Sequence, residues 1–231
     1  MASRVLIMAA AGTSCLEGRA NVLRLVNAVR REAHGLDVAD GYVDRQSPRL
    51  SEVVRSTVGP RVIVPLLPTR DRGALRAMTA AAGDDPTVTV TAPIGPDWVL
   101  AEIAVQRLME VGARPGDVIV LGAEAAATTG AADDLAAAAR MLGAVWGGRV
   151  AVTGTCGSER SLAEVVAAAR ARRRRVVLSS YALTSGAAHQ ALGEAGADVV
   201  TAPLLPSGPP DPRLVGLVLA RARRAEPTSS L

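Results

Sequence analysis

The chain has 231 residues, of which 49% are hydrophobic and 2% aromatic, and its formal net charge is +4. This composition excludes a disordered chain, because enough apolar side chains are present to bury a substantial core. No run approaches the ~20 apolar residues of a membrane-spanning helix, and the apolar start ends at Gly12, before a signal-peptide core is complete. We therefore expect a soluble, cytoplasmic protein without a membrane partner.

The basic residues and the cysteines narrow the class of protein further. All 26 Lys+Arg residues are arginines. Two explanations are open: a coding bias, and a preference for carboxylate or phosphate partners. The two cysteines, Cys15 and Cys156, allow neither a disulfide framework nor a paired-cysteine metal site. A reducing compartment fits this cysteine usage.

Short β-rich runs alternate along the chain with Ala/Leu/Val segments of helical spacing, a pattern typical of parallel sheets covered by helices. The predicted strands are, in chain order, Val5–Ala10, Leu36–Tyr42, Arg61–Leu67, Thr87–Ala92, Asp117–Ala123, Arg149–Thr153, Arg175–Leu183 and Ala197–Ala202. The predicted helices are Arg19–Ala33, Ser47–Ser56, Gly73–Ala82, Pro96–Val111, Ala131–Val145, Ser158–Arg172, Gly186–Ala195 and Asp211–Arg224. The sequence therefore predicts an α/β fold.

The second four strand-helix pairs repeat the first four at a nearly fixed offset. Val5–Met8 corresponds to Val118–Leu121, and Arg61–Val64 corresponds to Arg175–Leu178. A period of this kind indicates a tandem duplication. We expect two similar β/α units with parallel sheets, with the joint at Gly112–Gly116.

The predicted domain boundaries follow from that joint. Residues 1–113 form the N-terminal half, 114–225 the C-terminal half and 226–231 a flexible tail. Ligands of open parallel sheets bind beyond the carboxyl ends of the strands. We therefore expect a ligand cleft between the halves, lined by the loops that leave the strands.

Nucleotide and nucleic-acid partners are disfavoured. The glycine-rich loop Gly12–Gly18 lacks the spacing of a dinucleotide fingerprint, and a P-loop is impossible in a chain without lysine. Few aromatic residues are available to stack on bases. The run Arg172–Arg175 lies where a helix ends, so it is explained as cations that complement a helix C-terminus.

Short stretches in the same order along the chain carry a family resemblance. They are Ala10–Thr13, Gly41–Pro48, Val62–Leu67, Gly95–Asp97, Arg114–Asp117, Ser180–Leu183 and Ala195–Leu204. From Arg4 to about Arg224 the chain resembles the two-halved sirohydrochlorin chelatases of the CbiX type, in their actinobacterial form. The resemblance implies a metal-chelatase lyase of cobalamin or siroheme biosynthesis, which binds an anionic, tetrapyrrole-like ligand. It implies Fe²⁺ or Co²⁺ as substrate, and no nucleotide or organic cofactor.

The usual first-half histidines of that family are missing. The family's first loop has Ala-His-Gly where this chain has Ala11 at the histidine position, and Gly73 falls about where the second histidine is expected. Neither residue can coordinate a metal or accept a proton. We therefore predict that no metal binds between these two loops.

The second half of the chain contains candidate replacements for the two missing histidines. By the internal repeat, Glu124 corresponds to Ala11, and His189 lies in the loop and helix start that correspond to the missing second histidine. The more distantly related protoporphyrin ferrochelatases are similar in using a His and a Glu in their second half. We predict Glu124 and His189 as metal-binding and catalytic residues. The predicted ligand-binding residues are Thr13, Ser14, Arg70, Arg72 and Tyr181.

Two other functions remain open at this point. The chain is then either a degenerate family member that binds or carries its ligand, or a scaffold recruited to other small-molecule biosynthetic chemistry. We expect a monomer or a small homo-oligomer, because a tandem chain already contains the pseudo-twofold of a dimer.

Overall fold

A computed structural model describes residues 4–44, 46–126, 129–155, 162–171 and 174–225. Within these residues, strands and helices alternate as predicted, eight of each. The first half contains β1 (Arg4–Ala10), α1 (Leu16–Glu32), β2 (Leu36–Tyr42), α2 (Leu50–Ser56), β3 (Arg61–Pro65), α3 (Arg72–Ala82), β4 (Val88–Val90) and α4 (Trp98–Glu110). The second half contains β5 (Val118–Ala126), α5 (Thr129–Trp146), β6 (Val150–Thr155), α6 (Leu162–Arg170), β7 (Val176–Ser180), α7 (Ala187–Gly193), β8 (Val199–Val200) and α8 (Pro212–Arg224).

The strands form two parallel, four-stranded sheets of the same topology. The first sheet has the order β2-β1-β3-β4, and the second has the order β6-β5-β7-β8. Val5 pairs with Arg61 in the first sheet, and its counterpart Val118 pairs with Val176 in the second. The predicted α/β class, with two similar units, is confirmed.

The chain packs as two compact units that are not contiguous in sequence. The first comprises the described residues up to Leu67, Arg72–Ile94 and those from Ser207 onward, and the second comprises Pro68–Asp71 and Gly95–Pro206. Helix α8 therefore belongs to the unit of the first sheet, and α4 to the unit of the second. The duplication joint at Gly112–Gly116 stays a prediction.

Apolar faces of the helices cover both sheets. In the first unit, α1 buries Leu25 and Val29 completely, and α8 contacts α1 and β3 through a face that includes Leu214 and Val218. In the second unit, α6 and α7 cover Val120, Val176 and Leu178, and these contacts form a buried cluster. Among the described helices, none is both long and apolar enough to span a membrane.

Most differences from the predicted bounds lie at element ends. The edge strand β8 is reduced to Val199–Val200, and β7 ends at Ser180 rather than Leu183. Helix α2 begins at Leu50, after Pro48, and the Glu52 carboxylate accepts the Arg49 N–H at 3.1 Å. Cys156, residues 158–161 and 172 of the predicted sixth helix, and the predicted tail lie outside the described residues.

Candidate functional site

His189 lies in the first turn of α7, close to the end of strand β7. Its Nδ1 is 2.9 Å from the hydroxyl oxygen of Ser180, the last residue of β7. Ser180 is 2% exposed, whereas His189 is partly exposed. A hydrogen bond to a buried strand end fixes one edge of the imidazole ring.

Thr201, which directly follows the edge strand β8, anchors Ser180 in turn. The Ser180 N–H donates to Thr201 Oγ1 at 3.0 Å, and the Thr201 hydroxyl donates to the Ala202 carbonyl at 3.0 Å. Thr201 is 1% exposed, so these bonds lie away from solvent. Neither contact was predicted from the sequence.

Glu124 lies in β5, the strand beside β7. Gly122 pairs with Ser180 across these two strands, and Glu124 follows Gly122 by two residues. The backbone of Glu124 thus continues β5 past the position where β7 ends. Its side chain lies outside the described part of the chain, so the predicted contact between Glu124 and His189 stays a prediction.

Arg70, a predicted ligand clamp, is held by Asp134 of α5. Asp134 accepts the Arg70 backbone N–H at 2.7 Å and the guanidinium Nη2 at 2.6 Å, and Nε also contacts both carboxylate oxygens. The hydrogen bonds to Asp134, followed by its negative charge, raise the pKa of Arg70. One edge of the guanidinium is therefore already occupied by a carboxylate.

Asp134 was missed by the sequence analysis, although its position carried a signal. Ala131, Leu135 and Ala138 of the same helix are buried, and Asp134 lies on their side at 3% exposure. A carboxylate on the apolar face of a helix requires a partner, because an unpaired buried charge is costly. Helical periodicity therefore indicated a buried ion pair, but it did not identify the residue that pairs with Asp134.

Tyr181 follows Ser180 and is 3% exposed. Its hydroxyl has no hydrogen-bond partner among the residues described. Burial, and then the charges of Asp134 and Asp97, raise the pKa of this phenol. Tyr181 is therefore neutral at physiological pH and is a buried residue rather than an exposed ligand contact in this structure.

The loop after β1 is fixed by its own polar groups. The Thr13 N–H donates to Gln46 Oε1 at 2.7 Å, its Oγ1 accepts the Cys15 N–H at 3.1 Å, and its carbonyl accepts Arg19 Nε at 2.7 Å. Ser14 is exposed. Thr13 thus has a structural role here, whereas Ser14 presents its side chain to solvent.

Comparison with known proteins agrees with the topology. Residues 5–111 match the CbiX family. The chain is CbiX-like. No curated protein sequence matches it.

Three solved structures share the fold of this CbiX-like chain. SirB from Bacillus subtilis with Fe³⁺ has a TM-score of 0.77 at 13% identity, covering 96% of this chain and 95% of that chain. The sirohydrochlorin chelatase SirB from Bacillus subtilis subspecies spizizenii in complex with cobalt has a TM-score of 0.71 at 14% identity, covering 96% and 94%. CbiX, the terminal enzyme for siroheme biosynthesis in denitrifying bacteria, has a TM-score of 0.67 at 15% identity, covering 97% and 100%.

The strand register of the two sheets defines the internal counterparts of the site residues. Pro65 pairs with Ala9 as Ser180 pairs with Gly122, so Pro65 is the counterpart of Ser180. Because α3 follows β3 at the same spacing as α7 follows β7, His189 falls opposite Ala74. The sequence repeat had aligned it with about Gly73, one residue earlier.

The described residues offer few metal ligands. No group of three or more His, Cys, Asp or Glu side chains among them is arranged to hold a metal ion. Ala11 and Gly73 contribute no ligand atoms on their side chains. Arg72 begins α3 and is exposed to solvent, as a clamp for an anionic ligand requires.

Proposed function

We propose that this CbiX-like chain is a chelatase that binds an anionic, tetrapyrrole-like ligand and inserts Fe²⁺ or Co²⁺ into sirohydrochlorin. The observation that carries the proposal is the imidazole of His189, held by Ser180 at the carboxyl end of β7. Ligands of open parallel sheets bind at this edge. The CbiX-like first half and the shared fold support the same chemistry.

Metal insertion requires a group that delivers the ion and a base that takes protons from the pyrrole nitrogens. An imidazole nitrogen that carries no proton can accept one, so His189 suits the role of base. Glu124 supplies a carboxylate for the metal ion, which is the substrate of this reaction. No nucleotide or organic cofactor enters the proposal.

The peripheral carboxylates of the ligand need cationic partners. We assign these to Arg70 and Arg72, since guanidinium groups bind carboxylates in a planar, two-bonded geometry. Asp134 occupies Nε and Nη2 of Arg70, although 54% of this side chain is exposed. Arg72 is therefore expected to contribute more to ligand binding than Arg70. Ser14 completes the proposed ligand-binding set, because its side chain is exposed, whereas the buried Tyr181 and the loop residue Thr13 are not assigned to it.

The test is cobalt insertion into sirohydrochlorin, followed by its absorbance change. Glu124→Ala and His189→Ala are expected to abolish insertion, whereas Arg72→Ala and Arg70→Ala are expected mainly to raise KM. His34→Ala is the matched control, because His34 is the other of two histidines and lies exposed after α1. Insertion at the parental rate by both the Glu124 and His189 variants would contradict the assigned roles.

A second candidate function is binding or carriage of the same ligand without metal insertion. It is favoured by Ala11 and Gly73, which stand where the family's first half has metal-handling histidines. In this case the parent protein binds sirohydrochlorin but leaves Co²⁺ and Fe²⁺ uninserted. Absence of both binding and insertion would instead favour a scaffold recruited to other biosynthetic chemistry. We propose that the chain acts in the cytoplasm, as a monomer or small homo-oligomer.

A further inference from the structure

We propose that Trp98 is a stacking residue, whose indole packs against the face of a flat, conjugated, anionic ligand. The inference deepens the proposed function and rests on it for the identity of the ligand. Trp98 begins α4 and is 53% exposed, although tryptophan side chains are highly buried on average. An exposed indole offers a large, flat, apolar surface to another flat ring system.

The start of α4 lies at the carboxyl edge of the second sheet. Helix α4 packs against β7 and α5 within the second unit. At the other end of α4, the Arg175 guanidinium donates to the Gly112 carbonyl at 2.9 Å and to the Val111 carbonyl at 3.2 Å, and Arg175 directly precedes β7. The 13 residues of α4 extend about 20 Å, and the five residues of β7 about 17 Å. Trp98 therefore lies where β7 ends, at the edge where ligands of open parallel sheets bind.

The buried tyrosine after β7 supports the same placement. Burial is the main cause of the raised pKa of Tyr181, and the charges of Asp134 and Asp97 add to it. A charge has this effect on a phenol only from a short distance. Asp97 is the N-cap residue of α4, and Asp134 lies in the second turn of α5. The starts of both helices therefore lie close to the end of β7.

A fixed cation lies beside the indole at this edge. Arg70 is held by Asp134 through its backbone N–H and its guanidinium, and 54% of its side chain is exposed. A Cβ at Gly95 would lie 2.2 Å from the Pro68 carbonyl oxygen, so these two backbone segments touch. Arg70 follows Pro68 by two residues, and Trp98 follows Gly95 by three. The two packed loops therefore present a cation and a flat apolar face together, which suits a flat ligand with an anionic rim.

The other unit shows that the fold does not require a tryptophan at this helix start. In both α4 and α8 the N-cap aspartate accepts the N–H two residues further on, Asp97 at 3.0 Å and Asp211 at 2.9 Å. The residue after the N-cap is Trp98 in α4 and Pro212 in α8. The cap is common to both helices, whereas the exposed indole is an addition in α4, as expected of a ligand contact.

Trp146 provides a matched control at the opposite edge of the same sheet. The chain has two tryptophans. Trp146 is the last residue of α5, is partly exposed, and precedes the start of β6 at Val150 by four residues. A helix that leads into a parallel strand ends at the amino edge of the sheet. A ligand bound at the carboxyl edge is therefore remote from Trp146.

The first measurement is the ¹H–¹⁵N spectrum of the two indole N–H groups in the metal-free, full-length protein. One titration uses sirohydrochlorin, and a second uses pyrenetetrasulfonate, a flat polyanion that cannot take up a metal ion. We expect the Trp98 signal to shift in both titrations, because the ring current of a stacked ring system acts only at short range. The Trp146 signal should stay in place. Trp98→Phe and Trp146→Phe assign the two signals.

Affinity supplies the second readout. Stacking of a flat ring system on an aromatic side chain contributes about 5- to 150-fold to binding, so we expect Trp98→Leu to raise Kd for both ligands by such a factor. Trp98→Tyr should retain most of the affinity, and Trp146→Leu should bind as the parent does. In cobalt insertion the loss should appear in KM and not in kcat, because a contact kept throughout the reaction stabilises substrate and transition state equally.

Parental affinity of Trp98→Leu for every ligand that the parent binds overturns the proposal. So does an equal loss of affinity in Trp146→Leu, or a Trp98 signal that is unmoved at saturation. If the parent binds pyrenetetrasulfonate through Trp98 but does not bind sirohydrochlorin, the proposed function fails and the stacking role stands. If sirohydrochlorin binds and is converted without any change at Trp98, the stacking role fails and the proposed function stands. Binding of neither ligand refutes both.

Discussion

Arg61 and Arg107 are the two buried arginines among the residues that the structure describes. Arg61 begins β3 at 9% exposure, and its guanidinium donates to the carbonyls of Gly59 and Val54 at 2.9 Å each. It also pairs with Asp85 at 2.8 Å. One planar group therefore links the end of α2 to the segment that precedes β4.

We predict that Arg61→Lys and Arg61→Met both lower the free energy of unfolding, by about 1–3 kcal/mol, the cost of leaving a buried polar group unsatisfied. A lysine ammonium cannot reproduce the fork of donors, so the retained charge does not rescue the variant. Urea denaturation measures the effect. Arg55→Lys is the control, because exposed Arg55 donates to Ser51 within its own helix. Stability equal to the parent in Arg61→Lys would contradict the role of the fork.

Asp198 gives the second unit a pH-dependent contribution. Its carboxylate accepts the Val176 N–H at 2.8 Å and pairs with Arg170 at 2.8 Å. The backbone hydrogen bond, and then the Arg170 charge, lower the pKa of Asp198. A carboxyl group whose pKa is lower in the folded state stabilises the protein above its ordinary pKa, and this contribution disappears as the pH falls through the folded-state pKa.

We therefore predict that Asp198→Asn lowers Tm at pH 7 and at pH 5 by the same amount. The difference from the parent should shrink below about pH 4, the ordinary range of an aspartate pKa. Thermal unfolding at pH 7, 5, 4 and 3 measures it. A difference between parent and variant that stays constant down to pH 3 would show that the charge of Asp198 has no such effect.

At the residue scale, the sequence proposed candidate site residues but not the residues that contact them. The family resemblance and the internal repeat selected His189 as a candidate. The partners Ser180 and Asp134 were not predicted, because Ser180 is nine residues and Asp134 is 64 residues from the group that it binds. Contacts at such separations depend on strand register, and a one-residue shift moves a side chain to the other face.

The elements themselves were predictable from alternating hydrophobic periodicity. The strand Leu36–Tyr42 was predicted with its observed bounds, and the predicted helix Gly73–Ala82 differs by one residue from α3. The predicted bounds differ from the observed ones at the ends of elements, where strand pairing and local contacts determine which residue is the last. Pairing stops β7 at Ser180, although the apolar run continues to Leu183.

The loop after β1 gives a prediction at the scale of an element. Gly12 has φ +100°, and a Cβ at this position would lie 2.2 Å from the Asp44 carbonyl oxygen. We predict that Gly12→Ala displaces the loop and costs more than the roughly 1–2 kcal/mol of a left-handed residue with a side chain. Denaturation in urea measures the cost, and crystallography of the variant measures the displacement.

Gly35→Ala is the matched control for this loop. Gly35 also has a positive φ, +78°, but no atom lies within 4 Å of its added Cβ. Its variant therefore shows the backbone cost without the steric one. Equal losses of stability in the two variants would mean that the loop moves away from the Cβ of Gly12→Ala without a cost in free energy. That result would contradict the prediction.

At the scale of the whole molecule, the two halves of the sequence do not coincide with the two compact units. The last helix of each half belongs to the unit that contains the other half's sheet. The helix α4 belongs to the unit that contains β5–β8, where it buries Leu100, Ile103 and Leu108 completely. The helix α8 belongs to the unit that contains β1–β4 and buries Leu214 and Val218. Periodicity predicted both helices but could not show which sheet each one covers.

This arrangement predicts which fragments fold. Residues 1–113 retain the first sheet but lack α8, and the apolar face of α4 has no sheet of its own unit to cover. We expect this fragment to be aggregation-prone and to lack a cooperative unfolding transition, since exposed apolar faces of this size favour association. Residues 95–206, in contrast, contain α4 together with β5–β8 and should unfold cooperatively. Far-UV circular dichroism during urea denaturation distinguishes the two.

Two further fragments make the comparison specific to the helices. Residues 114–206 keep the sheet of 95–206 but lack α4, so they should lose the cooperative transition and expose the apolar face that α4 covers. Co-expression of 1–113 with 114–231 restores α8 to the first sheet and α4 to the second, and should therefore give a soluble complex with one copy of each. Cooperative unfolding of isolated 1–113 would show that α8 is dispensable to its unit. A helix that buries three side chains completely is expected to contribute several kcal/mol to the stability of its unit. Equal stability of 114–206 and 95–206 would therefore show that α4 is dispensable.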